Sequence, residues 1–118
     1  MESIKPAAQS APDPMCVVIL STAPDVLLAK RIAHILIEEK LAACVQLMPS
    51  CLSIYEWNGE VQGDQEVPMV IKTSRNAARG AIARLIELHP YEVPEAVVVP
   101  IVGGHYDYLN WVSQQTGP

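Results

Sequence analysis

The chain predicts an α+β fold, and three observations carry the prediction. Two segments, around residues 28–36 and 78–86, repeat their apolar residues at helical spacing. Apolar, strand-like runs flank both segments. Asn58-Gly59, the dipeptide best suited to the positive φ angles of a two-residue type I′ turn, joins the two longest of those runs into a hairpin. At 118 residues there is room for one domain, and 50% hydrophobic residues supply its core.

Residues 1–15 are rich in Pro, Ala and Ser and show neither period, so they read as a disordered tail ahead of a domain at 16–118. Cys16-Val-Val-Ile-Leu20 is a continuous apolar run, as in a strand covered on both faces, and Ser21-Thr-Ala-Pro-Asp25 stops it. Thr22 with Asp25 three positions on is a helix-start signal. Leu28, Ile32, Ile35 and Leu36 then share one helical face, which leaves His34 among the solvated residues.

The hairpin arms span residues 43–57 and 60–73, with bulges predicted at Pro49 and Gly63 and the register beyond them open. Ala78, Ile82, Leu85 and Ile86 mark a second helix, capped by Ser74 or Asn76 and ended by the His89-Pro90 step. Residues 96–102 read as a buried strand, Gly103-Gly104 as a turn, and residues 106–113 as a short helix. The order β-α-β-β-α-β, then α, is the split βαβ or ferredoxin-like arrangement, an antiparallel sheet with both main helices on one face.

The hairpin is too long for that domain. Fifteen residues at ~3.3 Å each make an arm of about 50 Å, against a diameter of roughly 34 Å for a compact chain of ~100 residues. The arms should overhang, and strand edges bearing Tyr55 and Trp57 need cover, most simply from another copy of the chain. The prediction is a homo-oligomer built by sheet extension.

Composition excludes several functions. A net charge of −5 with only 8 Lys and Arg argues against nucleic acid as a partner. No secretory signal opens the chain and no apolar run approaches the ~20 residues of a membrane span, so the expected address is the cytoplasm, away from membranes. Cys16, Cys44 and Cys51 form no C-x-x-C pair and fit reduced thiols. Without a nucleophile elbow, a Gly-rich phosphate loop or H-E-x-x-H, the chain reads as a non-enzyme.

The chemistry concentrates in His89-Pro-Tyr-Glu-Val-Pro-Glu95, where prolines hold an imidazole, a phenol and two carboxylates in extended backbone. His89 is either a Cu(II) or Zn(II) ligand or a ring that hydrogen-bonds the loop to a neighbouring carboxylate. Lys72, in an otherwise apolar strand, needs a partner, and Glu95 is the candidate; the alternative is an anion-binding lysine. Trp57, Tyr91, Tyr108 and Trp111 suit a ligand cleft, core packing or a subunit contact, and Asp107 a helix cap or a polar cleft wall. Cys44 is a small buried hydrophobe or a soft-metal thiolate.

S-T-A-P-D at 21–25, E-K-L-A-A-C at 39–44, Y-E-W-N-G-E at 55–60, I-K-T at 71–73, H-P-Y-E-V-P-E at 89–95 and D-Y-L-N-W at 107–111 together resemble CutA, the divalent-cation tolerance family, over residues 16–112. The resemblance implies a trimer whose hairpins extend sheets across subunit boundaries, and a role in tolerance of copper and other divalent metals. It also implies a likeness to PII signalling proteins, which bind small ligands in inter-subunit clefts. Family members with the clearest copper association are similar here but carry Cys in place of Ser21 and His in place of Leu88. Cu(II) or another divalent cation is therefore expected to bind this chain weakly.

Overall fold

In a computed structural model that describes residues 16–117, β1 (Cys16–Ala23) runs three residues past the end its apolar run predicts. The polar residues stay in the strand because their groups find partners: Ser21 Oγ donates to the Glu95 carbonyl at 2.7 Å, and the Thr22 hydroxyl donates to Glu66 Oε2 at 3.2 Å. The helix-start signal therefore falls to Asp25 alone, whose side chain accepts from Leu28 N at 2.9 Å. The predicted tail, residues 1–15, lies outside the described residues.

α1 (Val26–Glu38) buries Ala29, Ile32 and Leu36, and leaves His34 exposed as expected. The first hairpin arm is two strands, β2 (Cys44–Leu47) and β3 (Cys51–Trp57), whereas the second, β4 (Glu60–Ser74), is unbroken. Leu47 pairs with Met69 and Cys51 with Glu66, so four steps on one arm match three on the other. The extra residue sits around Pro49, where the ring has no N–H to give the ladder. At Gly63 the predicted bulge is absent. This glycine stays in register opposite Ile54, and a Cβ there would meet Leu52 Cδ1 at 3.5 Å, an ordinary van der Waals contact, so neither a bulge nor a close approach requires it. Asn58 and Gly59 turn the chain at φ 54° and 82°, as a type I′ turn requires.

α2 (Arg75–Leu88) starts on Ser74, not Asn76: the Ser74 hydroxyl accepts from Ala77 N at 3.1 Å. Ala78, Ala81 and Leu85 form its buried face, while Ile86, expected in the core, is exposed. β5 (Val97–Pro100) corrects a larger expectation, because its valines are 41–51% exposed. It pairs only with β1, at the edge of the sheet, so the continuous apolar run marks a surface still to be covered. α3 (Tyr106–Gln115) closes the chain, and the Cys16 thiol donates to Leu109 O at 3.3 Å.

The sheet order is β2-β4-β1-β5, all antiparallel, with β3 continuing alongside β4. Val17, Ile19, Val67, Met69 and Ile71 meet Ile32, Leu36 and Leu85 in one core, which places α1 and α2 on the same face. This is the predicted split βαβ fold. The overhang is also present: the molecule measures 58 × 26 × 24 Å. No described helix is long and apolar enough to cross a membrane.

Candidate functional site

The loop after α2 is built around His89. The Tyr91 N–H points at Nδ1 from 3.2 Å, so Nδ1 accepts and the ring proton sits on Nε2, which donates to Thr22 O at 2.7 Å. Both nitrogens are thus occupied, and the ring is buried against Tyr91 with centroids 4.6 Å apart. The partner is a backbone carbonyl and not the neighbouring carboxylate that the sequence suggested.

Tyr91 leads to the second part of the site. Its hydroxyl donates to Glu66 Oε2 at 2.9 Å, and the Thr22 hydroxyl donates to the same oxygen at 3.2 Å. Burial first, then the hydrogen bond to Glu66 and the negative charges of Glu66 and Asp64, push the Tyr91 phenol up to about 12. Across the hairpin Tyr55 donates to Asp64, which raises the Tyr55 phenol as well.

These groups wall a cavity of about 510 Å³ between the root of the hairpin and the 91–95 loop. Asp64, Glu66, Glu92 and Glu95 bring carboxylates to it, and Tyr55, Trp57 and Tyr91 bring rings. The strand period explains the selection. Ser53, Tyr55, Trp57, Asp64 and Glu66 share one face of the hairpin, while Leu52, Ile54 and Val61 share the other and are 58–77% exposed.

Of the residues the sequence proposed, Trp57, Tyr91 and Glu95 meet in this cavity, with His89 bonded behind it. Lys72, Tyr108 and Trp111 gather elsewhere: Lys72 Nζ lies 5.6 Å from the Tyr108 ring centroid, and Tyr108 and Trp111 are 5.7 Å apart. The expected Lys72–Glu95 pair does not form. Lys72 is opposite Val18, whereas Glu95 stands two residues before Val97, which is opposite Leu20. That places them four residues apart along β1, ~13 Å. Asp107 lies in the first turn of α3, whose cap position is His105, so Asp107 is not the cap.

Cys44 is half-buried on β2 opposite Lys72, and Leu88 packs against the core. Among the described residues no three His, Cys, Asp or Glu side chains are grouped so as to hold a metal ion. Thr22, Asp64 and Glu66 are site residues that sequence reasoning missed. Glu66 carried a usable signal, because a carboxylate beside the apolar run Val67-Pro-Met-Val-Ile71 needs partners for the same desolvation reason as Lys72.

Fold and site define a split βαβ domain with an overhanging hairpin and an acidic, aromatic-walled cavity at the hairpin's root. The family described as CutA1 divalent ion tolerance protein matches residues 17–115, and the chain belongs to it. It is 46% identical over 100 residues to the divalent-cation tolerance protein CutA of Thermus thermophilus, covering 85% of this chain and 97% of that one. The CutA protein of Pectobacterium atrosepticum is 44% identical over 102 residues, covering 85% and 93%. The crystal structure of CutA1 from Shewanella sp. SIB1, 40% identical, superimposes with a TM-score of 0.86 over 90% of this chain and 99% of that one.

Proposed function

We propose that this protein acts in divalent-cation tolerance as a non-enzymatic homotrimer that binds copper weakly. Family membership supports the role, and one observation carries the assembly. The overhanging hairpin presents Leu52, Ile54 and Val61, all more than half exposed, on the face turned away from the cavity. An apolar hairpin face of this kind, with β5 as a second uncovered edge, is what a neighbouring copy would cover by extending the sheet. The number three comes from the family resemblance. Weak copper binding follows from His89, whose two nitrogens would have to give up a hydrogen bond to serve a metal.

A second reading has its own observation. Lys72 has no carboxylate partner among the described residues and lies over Tyr108, which suits a PII-like cleft for an anionic ligand once subunits assemble.

Light scattering at micromolar concentration tests the assembly: three times the chain mass of 12.9 kDa is expected, and a monomer mass would refute it. The role is tested in cells sensitised to divalent cations by loss of their own family member. Expression of this chain should restore growth, and no restoration would refute the role.

A further inference from the structure

We infer that the cavity at the root of the hairpin binds an organic cation bearing N–H groups, of the aliphatic polyamine class. The inference goes beyond cation tolerance and does not rest on copper binding. Its first ground is charge: Asp64, Glu66, Glu92 and Glu95 line the cavity, and no described Lys or Arg does.

The second ground is Glu66. This residue is 9% exposed, and both of its hydrogen bonds, from Tyr91 and Thr22, fall on Oε2. Oε1 receives none from the described residues. Among the described residues no buried side-chain oxygen is orphaned, so Oε1 keeps its access through the cavity that Glu66 lines. An open carboxylate oxygen held in place by two donors on its twin is set to accept from a charged N–H.

The third ground separates an organic cation from a bare metal. The cavity, about 510 Å³, falls within the ~300–1,000 Å³ usual for small-molecule sites. No three His, Cys, Asp or Glu among the described residues form a metal group. The Trp57 indole offers a metal ion no donor atom and the Tyr55 and Tyr91 hydroxyls already donate to Asp64 and Glu66, whereas the three ring faces attract an ammonium group and cover the methylenes between successive amines.

Trp57 supplies the readout. The chain has two tryptophans, so Trp111→Phe leaves Trp57 as its single tryptophan, inside the cavity wall and excited apart from the tyrosines at the long-wavelength edge. The full-length protein, in its own assembled state, is titrated with spermidine, tetramethylammonium and MgCl₂ against NaCl of matched ionic strength. A saturable change in Trp57 emission with spermidine is expected, weakened about tenfold by Glu66→Gln and by Asp64→Asn. Asp64 lies on the exposed hairpin, so its variant reports on the site even if Glu66→Gln disturbs folding.

A response that NaCl reproduces, or saturable spermidine binding unchanged in Asp64→Asn, would overturn the proposal. Equal saturable binding of tetramethylammonium would overturn the N–H requirement, and displacement of spermidine by stoichiometric Mg²⁺ would assign the cavity to a metal. Light scattering on the same samples reads the trimer separately, so failure of one reading is distinguishable from failure of the other.

Discussion

His89 Nε2 stands 2.7 Å from the Thr22 carbonyl, a bond that ties the end of α2 to β1 across 67 positions of sequence. The same ring accepts from Tyr91 N, so one side chain fixes both the path of the loop and the place of Tyr91. His89→Ala should leave the half-buried Thr22 carbonyl and Tyr91 amide without this partner and cost about 1–3 kcal/mol. Urea unfolding at fixed protein concentration should show a lower midpoint with an unchanged slope. An unchanged midpoint would mean that water replaces the ring at no cost.

Tyr91 makes stability fall at high pH. Its phenol is pushed from 10.0 up to about 12 in the folded protein, by burial first and then by Glu66. Below pH 10 it is neutral in both states. Between pH 10 and about 12 the unfolded chain ionises first, so stability present at lower pH is lost as pH rises through that window. Thermal unfolding should show this decline, and Tyr91→Phe should flatten it relative to wild type. Equal slopes in both proteins would remove Tyr91 as the cause.

The sequence conveyed the fold wherever a residue's local preference and its tertiary role agreed. Asn58-Gly59 shows this for the turn, Ser74 for the cap of α2, and Pro49 for the single bulge. It misled where the same residue types serve two purposes. Gly63 stays in register and does not bend the strand, and the valines of β5 lie at an edge and not inside. The site divided for a related reason. Trp57, Tyr91 and Glu95 were visible as chemistry, but which of them meet depends on register, and register moved Lys72 to the Tyr108 end of β1.

The two faces of the hairpin should be separable by mutation. Ile54→Glu and Val61→Glu place charge on the outer face, where 68% and 77% of each side chain is now exposed, and both lie outside the cavity. If a neighbouring copy covers this face, each substitution should shift the assembly toward monomer in sedimentation velocity, because a buried unpaired charge costs several kcal/mol. A charge at Trp57 should act on the cavity as well. An unchanged sedimentation coefficient for Ile54→Glu would move the interface elsewhere, with β5 the next edge to test.

Copper affinity should respond to ligands that this chain lacks. Ser21 is buried and donates to the Glu95 carbonyl at 2.7 Å, while its neighbour Thr22 holds His89, so a thiolate at 21 would stand beside the imidazole. Leu88 adjoins that imidazole in sequence and is only partly buried, which leaves room for a second ring at the cost of some core packing. Wild type should bind Cu(II) weakly in calorimetric titration. The double substitution Ser21→Cys and Leu88→His should bind at least about tenfold more tightly, a gain of about 1.4 kcal/mol that added sulfur and imidazole ligands readily supply. Reducing agent must be absent and thiol oxidation followed, since Cys44 and Cys51 are both accessible enough to react. Tight, stoichiometric binding by wild type that survives His89→Ala would place the metal away from this loop, with the Cys44 thiol the first alternative. Weak binding that the restored ligands leave unchanged would weigh against copper and for a small-molecule ligand, because sulfur and imidazole beside His89 would then have failed to make a site.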